Sequence, residues 1–249
     1  EIGQHEQAKA AFEKMMGNAG IYKPDEFTRI GQLMIDAKLY DEALRAFSQV
    51  TENPAIKDAP DVPENRALLE RALYGRRSAL FARKSYAESV DSLAQFTNRY
   101  PRSGLFFEVH TLLGEAHGEM GNVGQASLVI GEIFRFSKDQ AQINQASMKL
   151  AQIQLKGGDK KGALASYQRI ALLSDPNKPE QRPLIEEAIL ASLPLSKELG
   201  LWKDVLDSCD QYLQLFPTGA KVSEVRRARA EANLNVTEPV ASPAPASAN

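Results

Sequence analysis

Few side chains in this sequence have the types and spacing that chemistry requires. His110 and His117 are seven residues apart, which on a helix separates them by two turns, about 10.5 Å. That distance is too long for both imidazoles to bind one metal ion unless the chain folds back. Cys209 is the single cysteine, which excludes an internal disulfide and a cysteine-built zinc site. We expect no metal, and we expect Cys209 to pack as a small apolar side chain.

Two basic motifs are better explained by structure than by ligand binding. The Gly-rich run GGDKKG at residues 157–162 has no strand before it and lacks the Lys-Ser/Thr ending of a phosphate loop, so we expect a turn between helices. Lys221, Arg226, Arg227 and Arg229 form a basic cluster without interleaved aromatic rings, which favours a solvated face over a nucleic-acid site. The sequence has no nucleophile motif and no helix-borne metal pair, so we expect neither enzyme activity nor a cofactor.

The composition excludes further classes of function. Of the 249 residues, 43% are hydrophobic, which is enough to bury a core. A net charge of −2 offers no attraction to nucleic acid or to an anionic membrane. No apolar run approaches the ~20 residues of a membrane span. We expect a soluble chain that is processed or truncated at its start, because its first residues contain neither Met nor a signal peptide's apolar segment.

A repeated pattern predicts the fold. A small residue followed four positions later by a larger, mostly apolar one recurs at Ala8/Phe12, Ala43/Phe47, Ser89/Leu93, Ala126/Ile130, Ala163/Tyr167 and Val205/Cys209. The first members are separated by steps of 35, 46, 37, 37 and 42 residues, at or above the ~34 residues of a two-helix repeat. The two longest steps contain proline-rich stretches, which we interpret as loop insertions. The pattern therefore predicts consecutive helix pairs.

Each repeat after the truncated leading one also has a first helix and a short turn. Ahead of its small/large pair lies a second run of apolar residues at three- and four-residue spacing, clearest in residues 25–47. Gly121-Asn122 and Gly158-Asp159 combine a helix-ending Gly with a residue that caps the next helix. The predicted unit is helix, short turn, helix, and the predicted fold class is all-α.

These residues resemble the tetratricopeptide repeat (TPR), whose signature is W-x2-L-G-x2-Y, then A-x3-F, then P. The stretch HTLLGEAHGEMGNVGQASLVI matches it at Leu113, Gly114, His117, Gly121 and Ala126, with His110 in the aromatic position. The resemblance extends over roughly residues 4–234 and implies a right-handed α-solenoid of stacked antiparallel helix pairs. In such repeats small residues let helices approach closely and large ones fill the space between neighbouring pairs.

Two repeats depart from this signature. Arg76 and Arg77 stand in the third repeat where Leu and Gly are usual. Pro194 falls in the middle of the first helix of the sixth repeat, so the placement of that helix stays open.

Two stretches look like a subgroup of these repeats that is found in bacterial envelope proteins: NRYPRSGLFFEVHTLLGEAHGEMGNVGQA and QLFPTGAKVSEVRRARAEANL. In that subgroup a Tyr-Pro or Phe-Pro and a small polar residue lead into the next helix, as in the lipoprotein of the outer-membrane β-barrel assembly machine and the periplasmic coordinator associated with the Tol-Pal system. Cytoplasmic repeat proteins can use the same Pro-initiated helix. The resemblance implies a periplasmic or envelope-associated protein, with a cytoplasmic location as the alternative.

The predicted organisation has three parts. Residues 1–20 form the second helix of a truncated leading repeat, in which no first helix covers Phe12 and Met15, so self-association through this helix is expected. Residues 21–234 form the solenoid, with about five repeats and a closing helix. Residues 235–249 form a Pro/Ala/Ser-rich tail that cannot bury apolar surface.

The first helices of stacked pairs line a concave groove, which implies a surface for a protein or peptide partner. Positions that point away from the second helix give six predicted binding residues: Tyr74, Phe81, Glu115, Met148, Gln152 and Leu155. The apolar ones are expected to anchor the partner, and the polar ones to orient it. The other interpretation, that the apolar side chains pack against adjacent repeats, stays open.

The sequence therefore predicts a non-catalytic protein–protein interaction scaffold or adaptor, with bacterial cell-envelope assembly as the expected setting. Its partner is expected to be a protein or peptide, not nucleic acid or a membrane. Two alternatives stay open: a structural subunit that uses its flanks within an envelope complex, and a regulatory repeat array of a larger protein whose upstream domain is missing.

Overall fold

The computed structural model describes residues 2–60, 62–99 and 103–237. These residues form thirteen α-helices and one 3-10 turn, and they contain no β-strand. Successive helices pack as antiparallel pairs, which confirms the predicted fold class. Along the described ranges, no helix combines the length and apolarity that crossing a membrane would require. The chain divides into two compact units, Glu1–Phe136 (unit 1) and Ser137–Asn249 (unit 2).

Unit 1 begins with a single helix, followed by three helix pairs. Its helices are α1 (Ile2–Met16), α2 (Pro24–Asp36), α3 (Tyr40–Thr51), α4 (Pro54–Lys57), α5 (Pro63–Ala82), α6 (Tyr86–Arg99), α7 (Phe106–Glu119) and α8 (Val123–Phe136). The pairs are α2/α3, α5/α6 and α7/α8. The short helix α4 lies in the insertion that lengthens the second repeat step.

Unit 2 contains two pairs and a further helix. Its helices are α9 (Gln140–Lys156), α10 (Lys160–Leu173), α11 (Arg182–Glu198), α12 (Trp202–Leu215) and α13 (Val222–Thr237). The pairs are α9/α10 and α11/α12, and α13 packs on α12. The predicted tail, residues 235–249, begins inside α13, and its residues 238–249 lie outside the described residues.

All five pairs in the described residues share one kind of turn. Each turn has three residues between its helices, and the middle one adopts a left-handed conformation: Lys38 (φ 59), Lys84 (φ 66), Gly121 (φ 77), Gly158 (φ 82) and Gly200 (φ 69). A residue in this conformation ends a helix by turning its backbone amides back towards the last carbonyl groups. The turns predicted at Gly121 and at the GGDKKG run are therefore confirmed.

Close helix contacts in unit 1 centre on Phe47 of α3. Its ring is 2% exposed and fits against two glycines, Gly31 of α2 and Gly75 of α5. A Cβ atom at Gly75 would lie 2.3 Å from Phe47 Cζ, and one at Gly31 would lie 2.6 Å from the same ring. Ile130 of α8 is related to Gly114 of α7 in the same way, at 2.5 Å. Helix pairs therefore pack where a missing side chain on one helix admits a large one from another.

The structure corrects the prediction that Phe12 of α1 is uncovered. Phe12 is only 3% exposed and belongs to the core that includes Phe27 and Phe47. The Arg45 guanidinium lies 5.3 Å from the centre of the Phe12 ring and pairs with Glu13. The error came from assuming that this face needs a preceding helix, whereas the following pair covers it. Self-association through α1 stays a prediction, and it would have to use side chains other than Phe12.

Helix α11 continues through Pro194, which resolves the placement that the sequence left open. Its buried face, with Ile185, Ile189 and Leu193, packs in a core with Val205 of α12. This packing holds the helix together although the proline provides no amide hydrogen to it.

The Phe47 contact leads to a prediction about stability. Gly75→Ala adds a methyl group that must displace the ring of Phe47, so we expect a loss of about 1–3 kcal/mol in the free energy of unfolding. The matched control is Gly131→Ala in α8 of the same unit, where a Cβ meets nothing within 4 Å and helix propensity favours Ala by up to about 1 kcal/mol. Urea unfolding followed by circular dichroism measures both variants. Equal midpoints for the two would contradict the packing described.

Candidate functional site

Three of the predicted groove residues lie on first helices of unit 1. Tyr74 and Phe81 are on α5, and Glu115 is on α7, which contacts α5. Tyr74 is half-buried, and burial raises the pKa of its hydroxyl, while a hydrogen bond with Ser78 lowers it. The carboxylates of Glu108 and Glu115 raise this pKa again. The structure therefore brings Tyr74 and Glu115 into electrostatic range of each other.

Phe81 lies two turns further along α5, and its ring is half-buried. It contacts Tyr86 at the start of α6 edge to face, with 5.2 Å between the ring centres. One side of the Phe81 ring is thus covered by the second helix of its own pair.

The three predicted groove residues of α9 in unit 2 have different surroundings. Met148 is 8% exposed and packs among buried side chains of α10 and α11, including Tyr167 and Leu195. The prediction that Met148 anchors a partner is therefore wrong, because this side chain fills the interior. Gln152 is exposed, and Leu155 is 43% exposed. A first helix packs against its neighbours as well as its own partner, so fewer of its positions face solvent than helical spacing suggests.

A cleft of about 660 Å³ lies in unit 2 between α11 and α13, and we call it the α11/α13 cleft. Its floor is apolar, with Leu190, Leu193 and Pro194 from α11 and Val225 and Ala228 from α13. Pro194 is exposed and Leu190 is half-buried, so the apolar surface is accessible from solvent. Concave apolar surfaces with a few polar groups at their edge are typical of binding sites.

The edge of the α11/α13 cleft is charged. Lys197 of α11 donates to Glu231 of α13 over 2.6 Å, and Lys221 donates to Glu224 over 2.8 Å. The Lys221 hydrogen bond and charge lower the pKa of Glu224, and the Arg227 guanidinium adds to this effect. The cleft is therefore lined by three cationic and two anionic side chains, which leaves one positive charge in excess.

The two walls of the cleft are held by Tyr212 of α12. This side chain is fully buried, and its hydroxyl donates to Glu186 Oε1 of α11 over 2.7 Å. The same oxygen accepts the backbone N–H of Lys221, just before α13, over 3.3 Å. Gly219 leaves room for this arrangement, since a Cβ there would lie 2.6 Å from the hydroxyl oxygen. One buried phenol thus ties both walls to the helix between them.

Sequence reasoning missed this cleft for two reasons. Pro194 left α11 without a firm placement, and α13 was interpreted as a closing helix with a solvated basic face. In the structure Lys221 and Arg227 of that basic cluster line the cleft, whereas Arg229 pairs with Asp210 at 2.5 Å. The signal that could have found the cleft is the Phe-Pro sequence before α13, which is similar to the Tyr-Pro sequence before α7, a first helix.

His110 and Cys209 have surroundings that explain them as packed side chains, whereas the buried Nδ1 of His117 has no hydrogen-bond partner among the described residues. His110 Nδ1 lies 2.8 Å from the Phe106 carbonyl oxygen, and the centres of the His110 and Phe106 rings are 4.0 Å apart. Burial lowers the pKa of His110 and of His117. Cys209 is fully buried in the core of unit 2. Within the part of the chain that the structure describes, no three His, Cys, Asp or Glu residues are grouped to hold a metal ion.

Comparison with known proteins identifies one repeat and supports the fold. Residues 145–173 match the family model described as tetratricopeptide repeat, from within α9 to the end of α10. The chain therefore contains a TPR repeat. No curated protein matches the sequence. The solved structure titled as the apo form of RapI aligns with 93% of this chain and 92% of its own chain, at a TM-score of 0.50 and 14% identity. At that identity the likeness is evidence for the fold alone.

The contrast between Met148 and Leu155 leads to a second prediction. Met148→Ala leaves a cavity in the interior, so we expect it to lower the free energy of unfolding by about 2–5 kcal/mol. Leu155→Ala on the same helix should change it by less than about 0.5 kcal/mol, because that side chain is exposed. The free energies of unfolding of both variants, measured in urea, show which of the two side chains is in the interior and which is on the surface. A Met148→Ala variant as stable as the wild-type protein would show that Met148 is not an interior residue, and the groove prediction for it would stand.

A third prediction concerns Cys209. The pKa of its thiol is raised to about 11, mainly by burial; within this net value the Lys197 charge lowers the pKa, the Asp210 charge raises it and the Arg229 charge lowers it. Only roughly one thiol in a thousand is then ionised at pH 8, and it is the thiolate that reacts. We expect a thiol-specific disulfide reagent to modify the native protein at least a hundredfold more slowly than the urea-unfolded chain, and faster as the pH rises. Equal rates in the two states would show an accessible thiol.

Proposed function

We propose that this protein is a non-catalytic adaptor that binds a segment of a partner protein in the α11/α13 cleft. The observation that carries this proposal is an accessible apolar floor between two helices whose edge is charged. Apolar centres with polar edges are the usual anatomy of protein interfaces. The TPR repeat at residues 145–173 supports a protein partner.

The residues of the cleft suit recognition rather than catalysis. They are aliphatic side chains, a proline, and lysine, arginine and glutamate, with no Ser, Cys or His among the lining residues. Both lysines already pair with glutamates, Lys197 with Glu231 and Lys221 with Glu224. A paired lysine orients a partner through charge and hydrogen bonds.

The predicted groove residues remain a proposal for further contact surfaces within each unit. In unit 1 these are Tyr74, Phe81 and Glu115, and the half-burial of both rings leaves part of each accessible. In unit 2 they are Gln152 and Leu155, which are exposed on α9.

We further propose that the partner belongs to a bacterial cell-envelope assembly and that the protein is periplasmic. The support for this setting is the resemblance of the sequences at residues 98–126 and 214–234 to those of envelope repeat proteins. A structural subunit that uses its flanks, a regulatory array of a larger protein, and a cytoplasmic location are the alternatives. Fractionation of source cells with an antibody to the protein separates the two compartments.

A fourth prediction tests the cleft as the binding surface. Leu190→Arg places a charged, bulky side chain on the floor, so peptides selected on the wild-type protein from a displayed library of random 12-residue peptides should bind at least tenfold more weakly. The matched control is Leu172→Arg on α10, where the leucine is 74% exposed and does not line the cleft. Circular dichroism verifies the fold of both variants. A folded Leu190→Arg variant with wild-type affinity would rule out the cleft.

A further inference from the structure

We infer that the α11/α13 cleft recognises an acidic, extended peptide segment, with an apolar side chain against its floor and a carboxylate beside it. This inference rests on the proposed function and adds the chemistry and conformation of the partner. Two independent features of the cleft carry it: an excess positive charge at the edge, and a backbone acceptor on the floor.

The excess charge comes from Arg227. The lysines of the edge are each matched by a glutamate, at 2.6 Å for Lys197–Glu231 and 2.8 Å for Lys221–Glu224. The Arg227 side chain is exposed and lies near enough to Glu224 to lower its pKa. A guanidinium binds a carboxylate through two parallel hydrogen bonds, whereas a basic partner would meet a net positive edge. The cleft therefore selects acidic segments over basic ones.

The backbone acceptor comes from Pro194. In a helix the N–H of residue 194 would bond to the carbonyl oxygen of Leu190, and proline has no N–H. Leu190 and Pro194 both line the cleft, so the carbonyl group that loses this helical donor belongs to a residue of the floor. A carbonyl oxygen that a partner encloses needs a hydrogen-bond donor, because enclosing it without one would cost free energy.

This acceptor selects the conformation of the partner. A helical segment uses its own backbone N–H groups internally along its middle. An extended segment has free N–H groups next to each side chain, so one can donate to the Leu190 carbonyl while its apolar side chain covers the floor. The walls are already tied together by Tyr212, which reduces the ordering that binding requires.

The charge is tested with Arg227→Glu and a matched neighbour. The probes are synthetic peptides taken from a displayed random library selected on the wild-type protein, each compared with a copy in which Asp and Glu are replaced by Asn and Gln. We expect the wild-type protein to prefer the acidic copy at least tenfold at low salt, and less at high salt. Arg227→Glu should abolish or reverse this preference. Arg226→Glu, an exposed neighbour outside the cleft lining, should retain most of it.

The acceptor is tested with Pro194→Ala. Alanine restores an N–H that binds the Leu190 carbonyl, so the variant should have a higher melting temperature and yet bind the selected peptide about tenfold more weakly. If Pro194 had only a structural role, its replacement by Ala would change stability and peptide affinity in the same direction, or leave the affinity unchanged. Pro183→Ala, in the first turn of α11, is the control and should leave affinity unchanged, because proline there interrupts no helical hydrogen bond.

The outcomes separate this inference from the proposed function. If selected peptides bind the cleft, as judged by Leu190→Arg, without any preference for acidic residues, the function stands and this inference fails. If the wild-type protein selects no peptide, the proposed function itself fails. Higher affinity after deletion of residues 238–249 would assign the cleft to the chain's own tail. A dimer that Leu190→Arg dissociates would assign it to a second copy, and either result overturns the inference.

Discussion

Helix pairs can stack in unit 1 because a large side chain on one helix meets the bare backbone of another. Phe47 lies against Gly31 and Gly75 on two different helices, and a Cβ at either glycine would come within 2.6 Å of its ring. At these distances no side chain could remain on the facing helix, so the spacing of the helices is set by the absence of a methyl group. A buried apolar cluster of the unit, from Phe12 to Ala79, surrounds this contact.

Local chemistry predicted most of the fold, and long-range packing decided the rest. The helix pairs follow from apolar spacing, and the turns at Gly121 and Gly158 follow from a glycine beside a polar residue, signals that act within a few residues. Two other turns have Lys38 and Lys84 in the left-handed position, which no glycine indicated. Pro194 is the exception, because its local preference against a helix interior is overcome by the packing of Ile189 and Leu193 in the core with α12. The burial of Phe12 was likewise missed because it depends on which neighbour covers a face, and spacing alone does not say.

The site was harder to predict than the fold because its parts are distant in sequence. Met148 has the helical spacing of a groove residue, yet it is buried by packing against α11, which begins more than 30 residues later in the sequence. The walls of the α11/α13 cleft come together through α12, whose Tyr212 hydroxyl is bonded to Glu186 and to the backbone of Lys221. The same proline that left the placement of α11 open removes the amide donor that the Leu190 carbonyl group would have in a regular helix. A residue that weakens a helix and lines an accessible cleft is the kind of local conflict that functional sites retain.

The shared turn has a consequence for how such a chain can change in evolution. Every pair in the described residues has three residues between its helices, whereas the links between pairs differ, with six residues before α13, eight before α11, and a whole short helix before α5. An insertion within a turn would misplace the one left-handed residue and rotate the second helix away from the first. An insertion in a link leaves both hairpins intact. Lengthening, duplication and recombination are therefore tolerated only at the links, and the hairpin is the smallest segment that can be gained or lost without loss of the core.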